Sequence, residues 1–194
     1  MPAERLGSPR VRLFVALDLP VAIVSPLAAW TGTAFGAHPD LRVVRPESLH
    51  VTLVFLGYQY ERDVERIAER AFAEPFAPVE LRAEEVQPVP RRRPRLFALG
   101  LADEAGGLTR WQSGLSQRLH AAGLYEPEKR AFWPHVTLSR AKRGKTPRDV
   151  VVPDLPVELS APVPAGELTL YRSTLHPGGA VYEPLAKDKK TTVH

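Results

Sequence analysis

The sequence predicts an α+β fold built on a duplicated unit, and three observations carry that expectation. The tetrapeptide His50-Val51-Thr52-Leu53 recurs unchanged as His135-Val136-Thr137-Leu138, each copy preceded by a prolyl segment and followed by further apolar residues. Strand-like and helix-like stretches are interleaved, yet several neighbouring strands are separated only by short turns, which favours antiparallel pairing. The order strand, helix, His-bearing strand occurs in both halves, and two copies are too few for a solenoid.

Taken in order, residues 1–10 read as a flexible leader. Residues 11–18 form a nearly continuous apolar run suited to a central strand. Pro20 suits the entry to a helix over 21–35, although Pro26 inside it predicts a kink or a restart. A short strand at 41–44 leads through Pro46 into the first His strand, which the sequence predicts to stop near Gly57. Helical spacing of Val64, Ile67, Ala68 and Ala71 predicts a helix over 62–72. Strands follow at 79–86 and 95–101, with an arginine loop (Arg91-Arg92-Arg93-Pro94-Arg95) between them. Leu108, Trp111, Leu115, Leu119 and Ala122 form one stripe of a helix over 108–124, which Gly123 helps to end. The second His strand occupies 134–140. A basic, prolyl loop then leads to short extended segments at 157–159 and 166–172, and a last strand at 181–185 follows the turn at Pro177-Gly178-Gly179. Residues 11–186 read as one domain and residues 187–194 as a flexible basic tail.

The chain has 194 residues, 44% hydrophobic and 25% charged, which is ordinary for a globular protein rather than a disordered one. It has no Cys, so disulfides, thiolate metal sites and Cys nucleophiles are excluded, in keeping with a cytoplasmic protein. No apolar run approaches a membrane helix or the core of a signal peptide. The net charge of +4 favours an anionic partner modestly. Its basic residues cluster in the arginine loop and in Arg140, Lys142, Arg143, Lys145 and Arg148, as phosphate-backbone contacts do.

Strand side chains alternate, so each His and the Thr two residues later share one face while Val and Leu feed the core. Packing alone would preserve Val and Leu more readily than His and Thr, which cost free energy if buried unpaired. Two such strands line a cleft with two imidazoles and two hydroxyls. One imidazole can take a proton from water while the other gives one to a leaving oxygen, and the hydroxyls can hold phosphate oxygens. Neither a metal nor another cofactor is required, since no metal-ligand spacing is evident. Arg140 stands five residues after His135. Strict alternation puts it on the opposite face, so it contacts substrate only if the strand bends. Phe132 and Trp133 beside the second motif are candidates to stack on a base. His38, His120, His176 and His194 read as surface residues.

The paired His-x-Thr-Leu motifs resemble those of the 2H phosphoesterase superfamily. Residues 12–20 (RLFVALDLP), 41–57 (LRVVRPESLHVTLVFLG), 132–140 (FWPHVTLSR) and 168–185 (LTLYRSTLHPGGAVYEPL) narrow the resemblance to its RNA 2′,3′-cyclic phosphodiesterases, also called 2′-5′ RNA ligases. Many members of that family carry an aromatic residue where this chain has Val43 or Val44. The resemblance implies two pseudo-symmetric lobes, each an antiparallel sheet with flanking helices, around a central cleft. It also implies metal-free hydrolysis of a terminal 2′,3′-cyclic phosphate on RNA to a 2′-phosphate. His50 would be the proton donor and His135 the proton acceptor, with Thr52 and Thr137 on the phosphate. Run in reverse, the pair would join a cyclic phosphate end to a 5′-hydroxyl. A cleft complete within one chain suggests a monomer. The competing expectations are a small cyclic-nucleotide phosphodiesterase of the same fold and a non-catalytic RNA- or nucleotide-binding module.

Overall fold

In the computed structural model, which describes residues 9–77, 79–164 and 167–188, the strands follow one path across the molecule. They are β1 (Arg10–Asp18), β2 (Leu41–Val43), β3 (His50–Tyr60), β4 (Glu80–Val89), β5 (Leu96–Ala102), β6 (His135–Ala141), β7 (Val163–Pro164), β8 (Leu168–His176) and β9 (Gly179–Lys187). Their spatial order is β7-β4-β5-β6-β3-β1-β8-β9, with β2 added to β6, and every pairing is antiparallel. The two His strands stand at the centre and touch through a single register pair, Val51 opposite Val136. On one side β3 continues into β1, β8 and β9; on the other β6 continues into β5, β4 and β7. Those two halves are the pseudo-symmetric lobes, and the α+β architecture is as the sequence implies.

Three α-helices, α1 (Val21–Phe35), α2 (Val64–Ala71) and α3 (Gly107–Ala121), cover the back of the sheet. The helix that follows β1 packs on β2 and β6, and the one that follows β5 packs on β3. Each unit's helix thus supports the other unit's His strand. Val51, Leu53, Val136 and Leu138 all point into this core and are fully or nearly fully buried. Pro26 sits within α1 without ending it. Its face of the helix is solvent-exposed, so water satisfies the carbonyl that loses its partner.

Four expectations are corrected. The first His strand does not stop at Gly57. That residue adopts φ +68, a left-handed conformation that only glycine takes without strain, and the strand continues to Tyr60. Residues Val157–Leu159 form a 3-10 turn, not a strand, with Pro156 at its entry and Leu159 as its buried anchor. Lys187 belongs to β9 rather than to a tail, since it pairs with Thr169 and its ammonium lies 2.7 Å from Glu167. Arg10, read as leader, is the first residue of β1 and pairs with Tyr60. Residues 1–8 and 189–194, including His194, and the start of the segment expected at 166 lie outside the described residues. Among those described, no helix is long and apolar enough to cross a membrane.

Candidate active site

Where the lobes meet, a cleft is lined by His50, Thr52, Thr137 and Arg140 together with Arg12, Phe14, Val44, Ser48, Phe55, Ser173 and Tyr182. The two imidazoles are held alike. The Nδ1 of His135 lies 2.8 Å from the Trp133 carbonyl, two residues back, and the Ser48 carbonyl, two residues before His50, favours protonation of that ring. A ring that donates from one nitrogen to a carbonyl keeps the other as a lone pair, so the tautomer leaves Nε2 of His135 as an acceptor. The Nε2 of His50 lies 3.1 Å from the Thr52 hydroxyl, within hydrogen-bond reach.

Each ring is also clamped by aromatics. His50 stacks on Phe14 at 5.0 Å and meets the edge of Tyr182 at 5.3 Å. Behind Phe14 stands Tyr171, whose hydroxyl donates to Asp18, as does that of Thr169. Burial pushes the Asp18 carboxyl up from its ordinary value, with those two hydrogen bonds opposing. His135 is stacked face to face on Trp133 at 4.5 Å. Trp133 therefore backs the imidazole, and its indole lies beside Gly100, which stands opposite His135 on β5. Phe132 packs against the core.

Electrostatics follow from this packing. Burial pulls the His50 imidazole down to about 4, and the charges of Arg140 and His135 add to that; the Ser48 carbonyl opposes them. His135 is lowered in the same direction, again by burial first and by Arg140, with the Trp133 carbonyl opposing. Arg140 itself is shifted down, by partial burial and by the neighbouring charges of Arg42 and Arg12, although much of its surface is open to water. At neutral pH both imidazoles are thus neutral, His50 in the cleft lining and His135 near enough to feel the Arg140 charge, beside a group of guanidiniums. An anion entering the cleft supplies the missing countercharge and raises both imidazoles toward protonation.

The bend that Arg140 requires is present. Between Thr137 and Ser139 the pairing with β5 skips a residue, so Leu138 and Ser139 both turn inward and Arg140 returns to the cleft face. The same irregularity lies in β3, where Leu53 and Val54 are both buried and Phe55 returns to the cleft. Phe55 is therefore the counterpart of Arg140, five residues after its own His. Sequence reading missed it because regular alternation hides a bulge. Arg12 was also missed; alternation along β1 places it beside Phe14, and its guanidinium lies 4.5 Å over the Phe55 ring. Tyr182 and Ser173 come from the closing hairpin. Val44 lines the cleft. Of the second basic cluster only Arg140 reaches the cleft; Lys142 binds the Pro39 carbonyl, and Lys145 faces Asp40. The arginine loop is an exposed turn between β4 and β5. His38 and His120 bind backbone carbonyls of Arg148 and Tyr125 away from the cleft, and His176 is exposed at the end of β8.

The family model for LigT-like phosphoesterases matches this chain twice, over residues 17–97 and 99–182, one match for each lobe's motif. The chain belongs to that family. Among curated relatives, the RNA 2′,3′-cyclic phosphodiesterase of Archaeoglobus fulgidus is 31% identical over 179 residues, covering 90% of this chain and 98% of the relative. The Escherichia coli protein of the same name is 29% identical over 179 residues, covering 91% and 94%. Of solved structures, LigT of E. coli complexed with 3′-AMP superposes with a TM-score of 0.76 at 27% identity, covering 92% of this chain and 97% of that one. The TT0787 protein of Thermus thermophilus gives 0.75 at 27% identity, covering 94% and 100%. Membership in this family makes the His-Thr cleft the place to look for phosphoester chemistry.

Proposed function

We propose that this protein is an RNA 2′,3′-cyclic phosphodiesterase, the activity for which its curated relatives are named. The observation that carries the proposal is the pair of matching His-x-Thr strands, which group the His50 and His135 imidazoles, each beside the carbonyl two residues back, with two Thr hydroxyls and Arg140. That set matches the needs of in-line phosphoryl transfer without a covalent intermediate. The cyclic phosphate sits between Thr52, Thr137 and Arg140, which hold its non-bridging oxygens as charge develops. The Nε2 of His135 takes a proton from water as the water oxygen bonds to phosphorus. The bond from phosphorus to O3′ breaks, and Nε2 of His50, protonated in the complex, gives its proton to O3′. The product is a 2′-phosphate beside a 3′-hydroxyl. A 5′-hydroxyl in place of water would yield a 2′-5′ linkage by the same steps.

The charge logic supports this order of events. Burial holds His50 neutral at pH 7, so its catalytic proton arrives with the anionic substrate, whose charge favours the imidazolium. The stacked Trp133 keeps the base in register without needing a carboxylate behind it. No group of three or more metal-ligating side chains occurs among the described residues, and the proposed chemistry calls for none. The cleft is built from one chain, which supports a monomeric enzyme, and we place it in the cytoplasm on the strength of its Cys-free composition. Incubation with RNA ending in a 2′,3′-cyclic phosphate, with identification of the product phosphate, tests the assignment. Release of a 3′-phosphate, or no turnover, would overturn it.

A further inference from the structure

The cleft does not end at Phe55. Because Phe14 pairs with Phe55, Arg12 with Tyr58 and Arg10 with Tyr60, alternation along β1 and the register with β3 put all six side chains on one face, continuous with the floor under His50. Arginine and aromatic residues interleave along it. Arg12 lies over Phe55 at 4.5 Å, while Arg10 at 5.0 Å and Arg62 at 4.6 Å both lie over the Tyr60 ring. Between these capped rings stands Tyr58, which is 59% exposed and packs on no other aromatic ring or guanidinium among the described residues. The carboxylate of Glu61, at this end of the ribbon, is taken by Arg172 at 2.6 Å, and among the described residues no ion pair neutralises Arg10 or Arg12. From the Phe14 pair to the Arg10 pair the ribbon runs four residues, about 13 Å at the usual strand rise.

We propose that this ribbon is a stacking track for the RNA strand upstream of the cyclic end, with Tyr58 as the open platform and Arg10 and Arg12 as phosphate contacts. The inference rests on the RNA-end reading above. An aromatic row with interleaved cations is the chemistry that single-stranded nucleic acid recognises: bases stack on the rings and the backbone follows the charge, with little demand on sequence. Double-stranded RNA does not fit, because its bases are not free to stack. A mononucleotide fills the cleft and leaves the ribbon bare, so the ribbon converts a cyclic-phosphate hydrolase into one that prefers RNA ends.

The test compares kcat/KM on adenosine 2′,3′-cyclic phosphate with successively longer oligoadenylates ending in the same group, for wild type, Tyr58→Ala and Tyr58→Phe. Expected is a rise with length in the wild type that levels off once the strand covers the ribbon. Tyr58→Ala should lose about five- to tenfold of that rise, the low end for one stacked base, with mononucleotide turnover unchanged. Tyr58→Phe keeps the ring and should keep the rise. A wild type indifferent to length, or a Tyr58→Ala enzyme with the full rise, overturns the track. If the wild type hydrolyses none of these substrates, the RNA-end reading fails separately. Anisotropy of a labelled oligoadenylate then judges the track: weaker binding by Tyr58→Ala supports it, and equal binding refutes it.

Discussion

His50 offers a stability measurement whose size can be worked from its surroundings. The imidazole is wedged between Phe14 and Tyr182, and burial there, with the Arg140 and His135 charges, brings it from an ordinary 6.5 to about 4. Above pH 6.5 it is neutral in both the folded and the unfolded chain and contributes no pH dependence. As the pH falls from 6.5 toward 4, the unfolded chain binds a proton that the folded protein refuses, so stability drops. The full difference is about 3 kcal/mol, at 1.36 kcal/mol per pH unit across that interval. Asparagine at this position keeps a polar side chain but cannot titrate. Urea unfolding of wild type and His50→Asn across pH 4 to 8 should therefore give curves that differ in slope. The wild type should lose about 3 kcal/mol more than the variant on acidification. The carboxylates titrate in both proteins, so their contribution drops out of the comparison. Parallel curves would refute the argument that the cleft holds His50 neutral by burial.

Arg140→Gln removes one of the charges that hold both imidazoles down, so the bends of the kcat/KM profile should move to higher pH; kcat/KM itself should fall about 10- to 100-fold with loss of a charge-assisted contact. Thr52→Ala and Thr137→Ala should each lower kcat by about 10²-fold, as removing one oxyanion donor does, with steady-state kinetics on a cyclic mononucleotide as the readout. Gly57→Ala meets no neighbouring atom but must adopt φ +68, so thermal or urea unfolding should report a loss of about 1–2 kcal/mol from strain alone.

Much of this molecule can be read directly from its residues, and the parts that cannot share a cause. The bounds of α1 follow from Pro20 and the apolar run, and the inward Val and outward His of both motifs follow from strand alternation. Bulges break that rule. Nothing local in His135-Val136-Thr137-Leu138-Ser139-Arg140 announces that Leu138 and Ser139 both turn inward, so the sequence left Arg140 on the wrong face and Phe55 unnoticed. The duplication held the clue: each motif is followed by one small or apolar residue, Val54 or Ser139, and then, at the fifth position from His, by a large side chain. Gly57 looked like a stop because glycine ends strands more often than it kinks them. Trp133 was legible as a neighbour of the motif but not as the backing of its imidazole, because nothing in the local sequence fixes the rotamer that stacks the indole on His135.

The central claim is that His50 and His135 share one proton-transfer reaction on a terminal cyclic phosphate. The most direct measurement incubates an oligoribonucleotide ending in a 2′,3′-cyclic phosphate with wild type, His50→Ala and His135→Ala in excess chelator, and locates the product phosphate. The account expects a 2′-phosphate from the wild type, unaffected by chelator, and a fall in rate of about 10² to 10⁴ in each variant with binding of a 3′-phosphate-ended oligonucleotide retained. A chelator-sensitive reaction, a 3′-phosphate product, or full activity in either variant would contradict it.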